Sequence, residues 1–278
     1  MQVSYFDPHE LKVKIKAVPP LGWFPAGFGG VKAEHFTSVE HQEKAKRVHA
    51  TSQPVINESA YELCVELSVL QALHVNRMVF MELGAGWGAQ ALNIVTAVRN
   101  QVVAMTVKEV WSIAVEAEPG HYEFLCETFL QNAMEGMPVF GAVDERLGWP
   151  SFYAVHPPAH NYGQALNPKG NVTVPAFTLK NLLETFHVEE VDFVHMDIQG
   201  AEPQVLRGAG DLLSRFCYLL VCPHYDPHVK EIAEILAPTH NLVVSFGPAS
   251  GYHEVEGFPL PVHFPQDGLM LFERKDLA

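Results

Sequence analysis

The sequence predicts an α/β domain built on a mostly parallel sheet, on three observations. Short apolar runs alternate with helical stretches from residue 58 onward. One of these runs, MVFMEL, passes directly into a glycine-rich segment, GAGWGA, as a strand does when it turns into its helix. Two extended runs separated by a Gly- and Pro-rich loop close the chain, the pattern of an antiparallel pair.

Taken in order, residues 1–56 contain PPLGWFPAGFGG and hold no sustained period, which predicts an irregular N-terminal extension over a domain spanning 57–278. Ala60, Leu63, Leu67 and Leu70 share one helical face, and Ser59 and Glu62 have capping-box spacing, so an amphipathic helix is expected over 58–73. Strands are then expected at 78–83, 111–117, 138–143, 191–196 and 217–222, with helices at 89–99, 120–133, 178–187 and 203–215. Pro203 and Pro227 suit first helical turns, each behind an acid able to cap, Glu202 and Asp226. Residues 240–246 and 268–273 form the closing pair.

The balance of charge narrows the partners. Against 18 Lys and Arg stand 32 Asp and Glu, a net charge of −14, which argues against an electrostatic grip on nucleic acid or an anionic membrane and for a small neutral or cationic partner. Self-association is left open. No apolar leader is visible in MQVSYFDPHELKVKIK and no stretch approaches the roughly 20 apolar residues of a membrane span, so a soluble cytoplasmic protein is expected. Cys64, Cys126, Cys217 and Cys222 form no CxxC and read as small buried side chains.

In an open parallel sheet the ligand lies beyond the carboxyl ends of the strands, where Gly84, Gly86 and Gly88 fall. GAGWGA loosely satisfies a dinucleotide fingerprint, so the glycines alone do not choose the ligand, and a P-loop is excluded because no Lys-Ser/Thr follows them. Glu82 discriminates further. A carboxylate at the mouth of the turn would repel a pyrophosphate, whereas S-adenosylmethionine has no phosphate and carries an ammonium and a sulfonium. Trp87 is then placed to close over the methionine part of that cofactor. Of the two acids in WSIAVEAEP, Glu118 at the strand end is expected to bind the ribose hydroxyls, with Glu116 a bystander, and Asp144, after PVFGAV, to border the adenine.

The stretch VDFVHMDIQGAEPQVLRGA, 191–209, with ELGAGWG, VEAEP and AVDERLG, resembles the signature of FkbM-type methyltransferases over roughly 57–273. Asp197, Gly200, Ala201 and Glu202 match it as written. The resemblance implies a Rossmann-like class I methyltransferase fold, with a mostly parallel seven-stranded sheet, helices on both faces and an antiparallel C-terminal hairpin. It also implies S-adenosylmethionine-dependent O-methylation of a sugar, polyketide or other small metabolite. NYGQAL and PQDG resemble pocket-lining loops in one branch, which implies substrate contacts for Tyr162, Gln164, Gln266 and Asp267. Two departures stand out: His195 where many relatives have Lys, and Cys222-Pro223 where many have an acid.

For transfer to a hydroxyl, the acceptor must be aligned and its proton must leave. Asp197 ends the fourth strand beside the glycine turn, and His224 follows the fifth. An imidazole with an unperturbed pKa of about 6.5 suits a general base, so His224 is expected in that role with Asp197 orienting it, and Gln199 bonding substrate. A divalent cation on Asp197 with His224 or Asp226 is the less favoured arrangement, and no metal ligand is assigned. The spacing of His224, Asp226 and His228 is better explained by a helix start at Asp226-Pro227 than by zinc. The rivals are a nicotinamide-dependent oxidoreductase on the same fold and a non-catalytic cofactor-binding domain.

Overall fold

A computed structural model describes residues 23–26, 29–32, 58–101, 103–154, 162–248, 251–253, 262–264 and 267–277. A hairpin, β1 (Trp23–Ala26) and β2 (Gly29–Lys32), comes first, its backbone beside the second helix. Then follow α1 (Glu58–Ala72), β3 (Arg77–Leu83), α2 (Ala89–Asn100), β4 (Glu109–Glu116), α3 (Pro119–Gln131) and β5 (Gly136–Phe140). Short strands β6 (Ala142–Val143), β7 (Ser151–Phe152), β8 (Val172–Thr173) and β9 (Ala176–Phe177) lead to α4 (Leu179–Thr185), β10 (Val191–Met196), α5 (Glu202–Ala209) and β11 (Phe216–Val221). The chain ends with α6 (Asp226–Leu236), β12 (His240–Phe246), a second hairpin of β13 (Gly251–His253) and β14 (Val262–Phe264), and β15 (Leu269–Arg274).

Seven strands form the central sheet in the order β12-β15-β11-β10-β3-β4-β5. From β11 to β5 all neighbours are parallel, and β15 runs antiparallel between β11 and β12. The order reverses between β3 and β10, which opens a crevice at the carboxyl ends of those two strands.

Period-two alternation divides the core. Met78 and Phe80 of β3 join α1, α2 and α3 on one face, while Met81 and Leu83 join α4, α5 and α6 on the other. Phe193 and Leu220 share the first face, Val194 and Val221 the second. Buried on both sides, the parallel strands are continuous apolar runs, and the few polar residues in them are conspicuous.

Three expectations need correction. Every described side chain of α1 from Glu62 to Leu70 is buried, including Glu66 and Ser68, so this helix is enclosed rather than amphipathic. Glu62 does not cap it but reaches into the core, and the Ser59 side chain lies outside the described residues. The expected strand 138–143 breaks at Gly141, whose φ of 153° and closeness to the Pro175 carbonyl exclude a side chain; Ala142–Val143 pairs instead with Ala176–Phe177. The expected helix 203–215 changes at Gly210 into a 3-10 turn spanning Gly210–Arg215.

Candidate active site

Gly84, Gly86 and Gly88 all take positive φ, at 81°, 54° and 86°. At Gly84 a Cβ would lie 1.8 Å from the Asp197 carbonyl oxygen, because Asp197 N–H donates to the Leu83 carbonyl and draws the end of β10 against the turn. Only glycine fits there.

Two carboxylates fasten this turn. Glu82, 2% exposed, accepts from the backbone N–H groups of Gln90 and Ala91 at 3.1 and 3.0 Å. Glu116 accepts from Gly86 N–H and Glu118 N–H, both at 2.7 Å. Burial is the main reason the Glu82 pKa is raised to about 7; His195 and the two N–H groups pull the other way. Glu82 is therefore a titrating fastener of the helix start rather than a fixed charge facing the ligand. Its effect on ligand choice survives by another route: the N–H groups of α2 that would receive a phosphate already have an acceptor.

A cavity of about 240 Å³ lies between this turn and Asp197. Glu82, Gly84, Gly86, Trp87, Tyr162, Gln164, Asp197 and Gln199 line it, as do Glu116, His121, His195, Gly141, Ala142 and Val143. The Tyr162 ring stacks on His121 with centroids 4.1 Å apart and rests against Gly86.

Several expected site residues lie elsewhere. Gly88 precedes α2 as its N-cap. Glu118 is 2% exposed and caps α3 through His121 N–H at 2.7 Å, while Glu116, expected to be a bystander, lies on the cavity wall. The cause is that the extended strand ends at Glu116, so period two no longer applies at 118. Asp144 turns its carboxylate to Glu145 N–H, and the wall there is formed by residues 141–143. Gln266 lies outside the described residues. Asp226 is exposed at the start of α6, too far around the turn to join Asp197 as a ligand.

His224 is the largest correction. It lies behind Asp197, not on the cavity wall. Its Nε2 is 3.2 Å from Asp197 Oδ1 and 3.6 Å from Asp267 Oδ1, and its Nδ1 is 3.0 Å from Glu202 Oε1. Burial lowers its pKa, but hydrogen bonds to Asp197 and Glu202 outweigh that and raise it from 6.5 to about 10. An imidazolium has no lone pair with which to take the acceptor's proton. His224 instead holds Asp197 in place, together with Gln199, whose side-chain amide donates to Asp197 Oδ1 at 3.0 Å. Glu202 also accepts from Ile198 and Gly200 N–H, which fixes the loop after β10.

Glu116 and His121 are polar wall residues that sequence reasoning missed, as it missed His195 and the backbone of 141–143. The signal for His121 was its place in the first helical turn after Glu118-Pro119, where a side chain can point back to the crevice.

A parallel sheet with one antiparallel strand next to its edge, and a glycine turn facing an acidic strand end across the topological switch, defines a Rossmann-like α/β protein with its site in the carboxyl-end crevice. The methyltransferase FkbM domain matches residues 93–252, more than half of the chain, and the chain belongs to this methyltransferase family. Among solved structures it is similar to a precorrin-6y C5,15-methyltransferase from Geobacter metallireducens, at 10% identity and TM-score 0.43, covering 80% of this chain and 91% of that one. A fibrillarin pre-rRNA processing protein from Methanococcus jannaschii is 14% identical with TM-score 0.42 over 77% and 74% of the two chains. TrmK of M. capricolum with S-adenosyl-homocysteine is 10% identical with TM-score 0.39 over 77% and 68%. No curated protein sequence matches the chain.

Proposed function

We propose that this protein is an S-adenosylmethionine-dependent O-methyltransferase acting on a hydroxyl of a small metabolite. One observation carries the reading. The cavity is walled by the glycine turn and by the carboxylates Glu116 and Asp197, with no Lys or Arg among its described lining residues. Such a wall suits a cationic, phosphate-free methyl donor and offers a dinucleotide no basic side chain for its pyrophosphate. It is equally poor in the basic groups that a polyanionic acceptor requires, and the net charge of −14 points the same way. A small acceptor is therefore favoured over RNA.

When bound, S-adenosylmethionine supplies a methyl group on a sulfonium, which is displaced in line by the acceptor oxygen. Gly84 and Gly86 let the turn approach the donor closely, and Glu116 is placed to accept from its ribose hydroxyls. Asp197 receives the hydroxyl proton and passes it to water, since one side of its carboxylate remains open to the cavity. The His224 imidazolium and the Gln199 amide set the orientation of that carboxylate. Tyr162 and Gln164 border the acceptor.

Calorimetry should show binding of S-adenosylmethionine and none of NAD or NADH, and turnover with hydroxylated small molecules should release S-adenosylhomocysteine. Replacing Asp197→Asn should lower turnover about a hundredfold or more, in the range of lost general-base catalysis, with donor affinity nearly intact. Wild-type turnover in that variant removes Asp197 from the mechanism; absent donor binding removes the proposal itself.

A further inference from the structure

Between the cavity and α1 lies a group of polar side chains, of which Glu82 and His195 also border the cavity. Alternation turns Glu82 of β3, His195 of β10 and Cys222 at the end of β11 onto the same face of the sheet, where α1 presents Glu62 and Glu66 one helical turn apart. All five are buried: Glu62 8%, Glu66 0%, Glu82 2%, His195 3% and Cys222 1% exposed. His195 and Cys222, on neighbouring strands, face each other here.

Their spacing is specific. Cys222 Sγ lies 3.5 Å from Glu62 Oε1 and 3.9 Å from His195 Nε2, and His195 Nε2 lies 3.8 Å from Glu62 Oε1. Zinc bonds of about 2.3 Å to sulfur and about 2.0–2.1 Å to nitrogen and oxygen, at tetrahedral angles, place such ligand atoms roughly 3.3–3.6 Å apart. The sulfur–oxygen side already fits, and the two sides that meet at His195 are wider by a few tenths of an ångström. Three ligand types that zinc favours therefore converge almost at bonding separation.

Glu66 is the second, independent observation. It is fully buried, and neither of its carboxylate oxygens has a hydrogen-bond partner among the described residues. It lies one helical turn from Glu62, close enough for its charge to be felt at His195, Glu62 and Glu82. A buried carboxylate without a partner is costly and must be neutralised. Without a metal, burial pushes the Glu66 pKa well up; at His195 burial acts downward, but Glu62 and the neighbouring acids raise the pKa to about 9. A divalent cation would satisfy the same charges with bonds that the geometry already approaches.

We propose that Glu62, His195 and Cys222 form a structural zinc site that clips α1 to β10 and β11 beside the active-site cavity, with Glu66, one helical turn from Glu62, turning in as the fourth ligand when the metal binds. A closed set of four protein ligands is the structural kind of zinc site, whereas catalytic sites keep one position open. Binding requires loss of the Cys222 thiol proton and a neutral His195 ring, so zinc uptake releases protons.

The test uses the full chain purified without chelator. We expect about one zinc per chain by elemental mass spectrometry. Cobalt(II) added to the stripped protein should give a thiolate-to-metal charge-transfer band, absent in Cys222→Ser and kept in Cys217→Ser. Glu66→Gln should weaken zinc binding about tenfold or more while leaving the fold intact. Zinc should also raise the melting temperature of the stripped wild type. Because these wild-type measurements stand alone, an unfolded variant leaves the idea exposed. A metal-free wild type that takes up no zinc at micromolar concentration, or a cobalt spectrum without thiolate character, overturns it. None of these readings depends on methyl transfer.

Discussion

Glu116 and Glu118 differ by two positions and do opposite work. Glu116 holds Gly86 N–H on the cavity wall, whereas Glu118 is committed to the first turn of α3. Glu116→Gln should therefore weaken S-adenosylmethionine binding by about tenfold, one lost charge-assisted hydrogen bond. Glu118→Gln should chiefly lower stability, by about 0.5–2 kcal/mol for a lost cap. Calorimetry and urea unfolding of the two variants separate these outcomes, and equal losses of affinity would return Glu118 to the ribose. The choice between them was not legible in WSIAVEAEP, because the end of the strand, and not its alternation, decides where each carboxylate points.

Among the elements, α4 shows how local chemistry sets a boundary that sequence alone can find. Thr178 Oγ1 accepts from Asn181 N–H at 3.2 Å and Asn181 Oδ1 accepts from Thr178 N–H at 3.4 Å, a reciprocal cap at the expected start of the helix. Thr178→Ala should cost about 1 kcal/mol, seen as a lower urea midpoint with unchanged m-value. Strands were equally plain: 191–196, buried along its whole length, and the edge strand 240–246 both fall as expected, since apolar runs bounded by polar residues admit little else. Helix α1 misled in one respect. Leu63, Leu67 and Leu70 announced its inward face, but nothing local announces that Glu62 and Glu66 are buried as well, with Glu62 turned towards His195 and Cys222 of the sheet.

For the molecule as a whole, buried histidines tie stability to pH. His240 opens β12, is 2% exposed, and donates from Nε2 to the Phe216 carbonyl at 2.9 Å across the sheet. The Thr239 hydroxyl lies 2.8 Å from its Nδ1. Burial lowers its pKa; the bond to Phe216 and Asp276 oppose this, and Arg274 and Lys275 reinforce it. The unfolded chain thus binds a proton more readily than the folded one, so this contribution is present above pH about 6.5 and is lost as pH falls through the folded value. Urea unfolding from pH 8 to pH 5 should show wild type losing more stability than His240→Gln, which keeps a donor but cannot ionise. Parallel curves would mean that His240 does not carry the effect.

Legible in the sequence were the strands and helices of the central sheet, the glycine turn that only residues without a side chain can make, and the acid ending β10, because each follows from local sterics and burial periodicity; the short hairpins β1–β2 and β13–β14 and the strands β6–β9 were not. Tertiary structure alone decided the seating of His224 among Asp197, Glu202 and Asp267 and the meeting of Glu62, His195 and Cys222. Electrostatics and ligand geometry depend on distances of a few ångströms between groups far apart along the chain, and the sheet order, not the neighbouring residues, sets those distances.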